Sequence, residues 1–109
     1  MTISSSQSWT ADGILAYLAT HRPFLRAHGV RFIGLFGSVR RGTADSESDL
    51  DFLTDLDDPT FDRYMELKFW LEDSFGQSVD LVLAPDIKPR LRETILNEVV
   101  YAPGLAPVS

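Results

Sequence analysis

Gly37 and Ser38, then ten residues, then Asp49 and Asp51 with Leu50 between them, make the spacing G-S-x10-D-x-D. These residue types suit phosphate and a hard cation. Without a Cβ, Gly37 lets a triphosphate approach the backbone, and amides opening a short helix from Ser38 would point at phosphate oxygens, with the Ser38 hydroxyl aimed the same way. Asp49 and Asp51 sit two apart in an extended segment, so both carboxylates share one face while Leu50 and Phe52 share the other. A third acid, Asp80, interrupts the apolar run Val79-Asp80-Leu81-Val82-Leu83. A charge inside a buried run needs a partner, and a metal would supply it. Three acids on neighbouring strands suit Mg²⁺, which takes a few carboxylates plus substrate phosphate oxygens. Two such ions roughly 4 Å apart can activate an attacking hydroxyl and stabilise departing pyrophosphate. Asp49 and Asp51 are expected to hold the metals, and Asp80 to hold one of them and to assist deprotonation of the acceptor. Residues of these types at this spacing read as a site for nucleotidyl transfer.

Average residue usage would produce the four fixed positions of this motif in roughly one or two chains of this length per thousand. The plain alternative is a Gly-Ser turn followed by a solvated acidic edge strand. Placement of both halves on strand ends, with a third acid on a third strand, favours the site.

The positioning elements follow from pattern. Residues 1–8 are Ser-rich and read as a loose tail. Thr10 is a plausible cap for a helix carrying Ile14, Leu15, Leu18 and Leu25 at helical spacing. Pro23 should kink or restart it, and Gly29 should end it. Arg22 and His28 loosely match the Arg-to-His spacing of HEPN ribonucleases, but the strands that follow do not belong in that all-helical fold; His28 reads as a helix-end residue. Val30–Phe36, rich in β-branched and aromatic residues, reads as a buried strand ending at Gly37. The second strand is expected over residues 49–53. Between them Arg40 and Arg41 could reach phosphate through their guanidinium forks. Asp58 and Pro59 look like the cap and first residue of the next helix, Phe61 to Phe75, with Phe61, Tyr64, Leu67, Leu71 and Phe75 toward the sheet. Lys68 and Glu72 would pair on its outer side, and Trp70 and Met65 fall off the main stripe. Gly76 ends that helix. The third strand is expected over residues 79–84, a last helix from Pro89 to about Glu98, and a short edge strand at residues 99–101. Arg90 and Arg92 are open to several uses.

The bulk properties set limits. A chain of 109 residues with 44% hydrophobic and 24% charged residues is one ordinary globular domain, here residues 9–102, with residues 103–109 a loose end. A net charge of −6 argues against non-specific nucleic-acid binding and suits a basic protein partner. There is no cysteine, so disulfides and thiolate metal sites are excluded. No apolar run reaches membrane-spanning length and the start lacks signal-peptide character, so no membrane contact and a cytoplasmic location are expected.

The fuller series is Leu35-Phe36-Gly37-Ser38, Arg41-Gly42, Ser48-Asp49-Leu50-Asp51, Val79-Asp80-Leu81-Val82 and Lys88-Pro89-Arg90-Leu91-Arg92-Glu93. It resembles the polymerase-beta-type nucleotidyltransferase superfamily, and within it the minimal nucleotidyltransferases, over about residues 29–101. Arg40 stands where a small residue is expected before Arg41-Gly42. The resemblance assigns Arg41 to shaping the phosphate loop beside Gly37 and Ser38. It implies an α/β fold, a small mixed β-sheet with helices mainly on one face. It also implies an antitoxin that moves AMP from ATP to a tyrosine hydroxyl on a HEPN-domain toxin, with two Mg²⁺ ions as cofactor. Two other readings remain open: an antitoxin that only binds and occludes its partner, and a catalytic subunit that adenylylates a small molecule.

Overall fold

The computed structural model describes residues 9–37 and 49–107. Helix α1 (Ala11–Thr20) begins where Thr10 accepts a hydrogen bond from the Gly13 amide at 3.0 Å, one of the amides a helix start leaves orphaned. Pro23 restarts the chain as α2 (Arg22–Ala27), and Gly29, at φ +84°, turns it into β1 (Val30–Phe36). Then come β2 (Leu50–Leu56), α3 (Phe61–Phe75), β3 (Val79–Leu83), a 3-10 turn (Ala84–Asp86), α4 (Pro89–Glu98) and β4 (Val100–Tyr101).

The strands form one mixed sheet in the order β3-β2-β1-β4, with β1 antiparallel to β2 and to β4, and β2 parallel to β3. Its two faces differ because strand side chains alternate. Ile33, Leu35, Leu50, Phe52, Val79 and Leu81 are buried in the main core together with Ile14, Leu18 and Leu25 of α1 and α2 and Leu67, Leu71 and Phe75 of α3. At about 25 cal/mol per Å² of buried apolar area, this face dominates the stability of the fold. The opposite face carries two rows set by register. Phe36, Asp51 and Asp80 form one row; Tyr101, Gly34, Leu53 and Val82 form the next. Val99, the residue after α4, lies over the second row, close enough that a Cβ on Gly34 would meet its Cγ2 at 2.7 Å. Leu53 is fully buried there. α4 leads from β3 at one edge of the sheet to β4 at the other. The expected α/β architecture, a small mixed sheet with helices mainly on one face, is what forms.

Several local expectations are corrected. β2 starts at Leu50 and continues to Leu56, because Asp51 to Leu56 pair with β1 and Leu50 pairs with Val79 of β3. The cap of α3 is Thr60, which accepts from the Arg63 amide at 3.2 Å, so Asp58 and Pro59 lie before the helix. Phe61 is 75% exposed and does not face the sheet. Trp70 is half-buried, its ring 4.9 Å from that of Phe24 and 5.8 Å from that of Tyr17: α1 and α2 widen the apolar surface against which α3 packs. β3 ends at Leu83 rather than at residue 84. Within the stretch expected to be loose, residues 103–107 are held in place, since Leu105 is fully buried and its carbonyl accepts from the Ile33 amide at 3.0 Å. Among the described residues no helix is long and apolar enough to cross a membrane.

Candidate active site

Three strand ends meet at one corner of the sheet. β1 delivers Gly37 just past Phe36, the register partner of Asp51. β2 begins at Leu50 and delivers Asp51, with Asp49 exposed immediately before the strand. β3 delivers Asp80, the register partner of Asp51 on the parallel side. Neighbouring strands lie about 4.8 Å apart and register partners project from the same face, so Asp51 and Asp80 stand side by side. Gly37 closes the corner. Its φ is +84°, and a Cβ there would meet Cγ of Asp51 at 3.0 Å, with Oδ2 nearer still. The glycine is required both by its backbone conformation and by the carboxylate beside it.

Asp80 is exposed rather than buried. The desolvation argument for a compensating metal therefore does not apply to it; what recommends a cation is its placement beside Asp51. Among the described residues no three acidic or imidazole side chains converge on one point, so the acids do not form a closed cage. Mg²⁺ does not require one, because it binds through one or two carboxylates, substrate phosphate oxygens and water. A pair of oxygen-donor carboxylates on adjacent strands, with Asp49 flanking, fits that habit. None of the clefts of about 530, 400 and 320 Å³ includes Asp49, Asp51 or Asp80.

Ser38, Arg40 and Arg41 lie outside the described residues. Asp55 and Asp57, the other acids of this region, are drawn to Arg31, which donates to Asp57 at 2.7 Å and lies 3.9 Å from Asp55. They belong to the far end of β2.

Lys68 and Glu72 were expected on the outer side of α3, but both are only about a quarter exposed. Glu72 Oε2 accepts from Lys68 Nζ at 2.9 Å and from the Val79 amide at 3.0 Å. The carboxylate thus ties α3 to the first residue of β3, next to Asp80. Its pKa is held below the ordinary value, first by the Lys68 hydrogen bond and then by the Val79 amide. Lys68 is raised, first by its hydrogen bond to Glu72 and, among smaller contributions, by the charge of Asp49. Lys68 is therefore a cation within the field of the first acid. The i, i+4 spacing announced the ion pair, but only the tertiary contact with β3 turns it toward the site.

The sequence matches the nucleotidyltransferase domain family over residues 18–102. It is 42% identical to the protein adenylyltransferase MntA of Thermococcus cleftensis over 94 residues, 84% of this chain and 95% of that one. A solved structure assigned as a minimal nucleotidyltransferase superimposes with a TM-score of 0.73 at 33% identity, covering 89% of this chain and 98% of that one. A complex of a tri-AMPylated Shewanella oneidensis HEPN toxin with MNT antitoxin shares the fold at a TM-score of 0.57 and 20% identity, over 85% of this chain and 73% of that one. With its sheet corner of Gly37, Asp51 and Asp80 and these likenesses, the chain belongs to the nucleotidyltransferase domain family, in its minimal nucleotidyltransferase branch.

Proposed function

We propose that the chain is an antitoxin that transfers AMP from ATP to a tyrosine hydroxyl of a partner HEPN ribonuclease toxin. The observation that carries this reading is the pairing of Asp51 with Asp80 in register on the sheet face opposite the main core, beside a glycine that leaves room at Asp51. The named activity of the 42% identical relative, protein adenylyl transfer, supports the same chemistry. The fold shared with an MNT antitoxin bound to an AMPylated HEPN toxin supports the partner.

In the reaction the acceptor oxygen bonds to the α-phosphorus of ATP, the bond from that phosphorus to the α,β-bridging oxygen breaks, and pyrophosphate leaves carrying that oxygen. Asp49, Asp51 and Asp80 are the residues that would hold two Mg²⁺ ions, which when bound neutralise phosphate charge and acidify the attacking hydroxyl. Asp80, exposed on the acceptor's side, takes part in removing the hydroxyl proton. Gly37, Ser38 and Arg41 receive the triphosphate, Gly37 by leaving space and Arg41 through its guanidinium fork. Such chemistry rests on positioning and charge neutralisation rather than on a covalent protein intermediate. The exposure of Asp49 and Asp80 suits an acceptor carried on another protein.

Intact mass of the HEPN partner after incubation with this chain, ATP and Mg²⁺ tests the reading, with an Asp49→Asn/Asp51→Asn double variant alongside. Adenylyl-sized increments that vanish with the variant are expected. A tight complex without increments would mean inhibition by binding alone, and increments only on small hydroxyl compounds would mean a small-molecule transferase.

A further inference from the structure

α4 has no buried residue, and of its ten side chains only Ile95 and Glu98 are half-buried. Leu91 is 44% exposed, Leu96 43%, and Val100 on the adjoining edge strand 37%. A ten-residue helix is too short to sustain itself in water and normally depends on an apolar face pressed against something. Here most of that apolar surface faces outward.

The charges on α4 are equally unspent. Among the described residues the cations elsewhere are engaged: Arg22 donates to the Pro103 carbonyl, Arg26 to that of Gly104, Arg31 to Asp57, Arg63 to the His28 carbonyl and Lys68 to Glu72. Lys88, Arg90 and Arg92 are exposed, and their side chains have no hydrogen bond or ion pair among the described residues. Three unpaired cations within five residues stand out in a chain of net charge −6. Lys88, Arg92 and Leu96 follow at intervals of four, which places them along one side of the helix, and Leu91 lies on the other shoulder of half-buried Ile95.

The location gives this strip its meaning. α4 ends beside Val99, whose Cγ2 lies against Gly34 in the row next to that of Asp51 and Asp80. A protein large enough to bring a hydroxyl to Asp80 from that face comes within reach of α4. We infer that the exposed side of α4, with Val100, is the docking surface for the acceptor protein, which covers it with an acidic patch centred on apolar side chains. This rests on the transfer reading above for the identity of the occupant. A nucleic acid would use the cations but leave Leu91, Leu96 and Val100 uncovered, since backbone binding depends on phosphate neutralisation.

The test measures complex formation between the full-length chain and the separately purified HEPN-domain partner, without nucleotide, for wild type, Arg90→Glu/Arg92→Glu and Leu96→Lys. Glu in the first turns of a helix favours the dipole, so the charge-reversed helix should fold, and thermal melting of each variant checks this. Each variant should bind the partner at least tenfold more weakly with ATP affinity unchanged, and the charge-reversed one should lose the salt dependence of binding. Partner affinity within twofold of wild type in both variants, no complex with wild type, or an equal loss of ATP affinity would overturn the assignment. Adduct mass is read in parallel samples of the same proteins given ATP and Mg²⁺. Binding that the variants break, without adduct in wild type, refutes the transfer reading and keeps the docking surface; adduct with binding untouched by the variants does the reverse.

Discussion

A side chain on Gly37 and the carboxylate of Asp51 would compete for one space: a Cβ on the glycine lies 3.0 Å from Asp51 Cγ and 3.2 Å from its Cβ. With φ at +84°, any other residue also takes on left-handed backbone strain. Gly37→Ala should therefore lower stability by about 1–3 kcal/mol and displace Asp51. Misplacement of a catalytic group by about 1 Å can cost roughly a hundredfold in rate. Transfer rate and denaturant melts on the same sample check both parts, and a fully active Gly37→Ala protein would remove the need for space at this corner.

Asp51 and Asp80 are partners in register but are expected to act differently. Asp80→Asn should reduce transfer by roughly 10²–10⁴-fold, the range of a lost acid–base group, while ATP affinity stays close to wild type. Asp51→Asn, which removes a carboxylate shared with the phosphate side, should weaken Mg²⁺-dependent ATP binding as well. Equilibrium nucleotide binding beside single-turnover transfer separates them. Full activity in Asp80→Asn would exclude that residue from the mechanism.

Glu72 predicts a pH dependence of stability. Its folded pKa is depressed by Lys68 and the Val79 amide, so its contribution is present above the unfolded carboxylate pKa and is lost as pH falls through the folded value. The raised pKa of Lys68 works in the opposite sense, its contribution lasting until pH rises through the folded ammonium value. Glu72→Gln should melt earlier than wild type near neutrality, and the gap should close in acid. A gap of constant size from pH 7 to strong acid would mean that the carboxylate charge is not what holds α3 to β3.

Leu105 should behave as a core residue although it lies four positions from the chain end. It is fully buried within the main cluster, and Leu→Ala in such a position costs about 2–5 kcal/mol. Urea melts of Leu105→Ala test this. A change below about 0.5 kcal/mol, the usual size for an exposed position, would show that the segment is dispensable.

The sequence by itself determined the strands, helices and chemistry wherever a local rule was strong. Runs rich in β-branched, aromatic and other apolar residues marked β1 and β3, Thr10 and Gly29 bounded the first helices, and Gly37, Asp49, Asp51 and Asp80 raised the expectation of a phosphate and metal site by type and spacing. Tertiary structure decided the relationships between segments. That Asp80 stands beside Asp51 follows from the parallel register of β2 and β3, and that it is exposed follows from α1–α3 all packing on the other face; an apolar run of five residues reads alike whether one face or both are covered. The inward turn of Lys68 and Glu72 depends on the start of β3 arriving beside α3, and the burial of Leu105 depends on β1 offering the Ile33 amide as a partner. Periodicity reports which residues share a side of one element. Only the packing of one element against another says what that side meets.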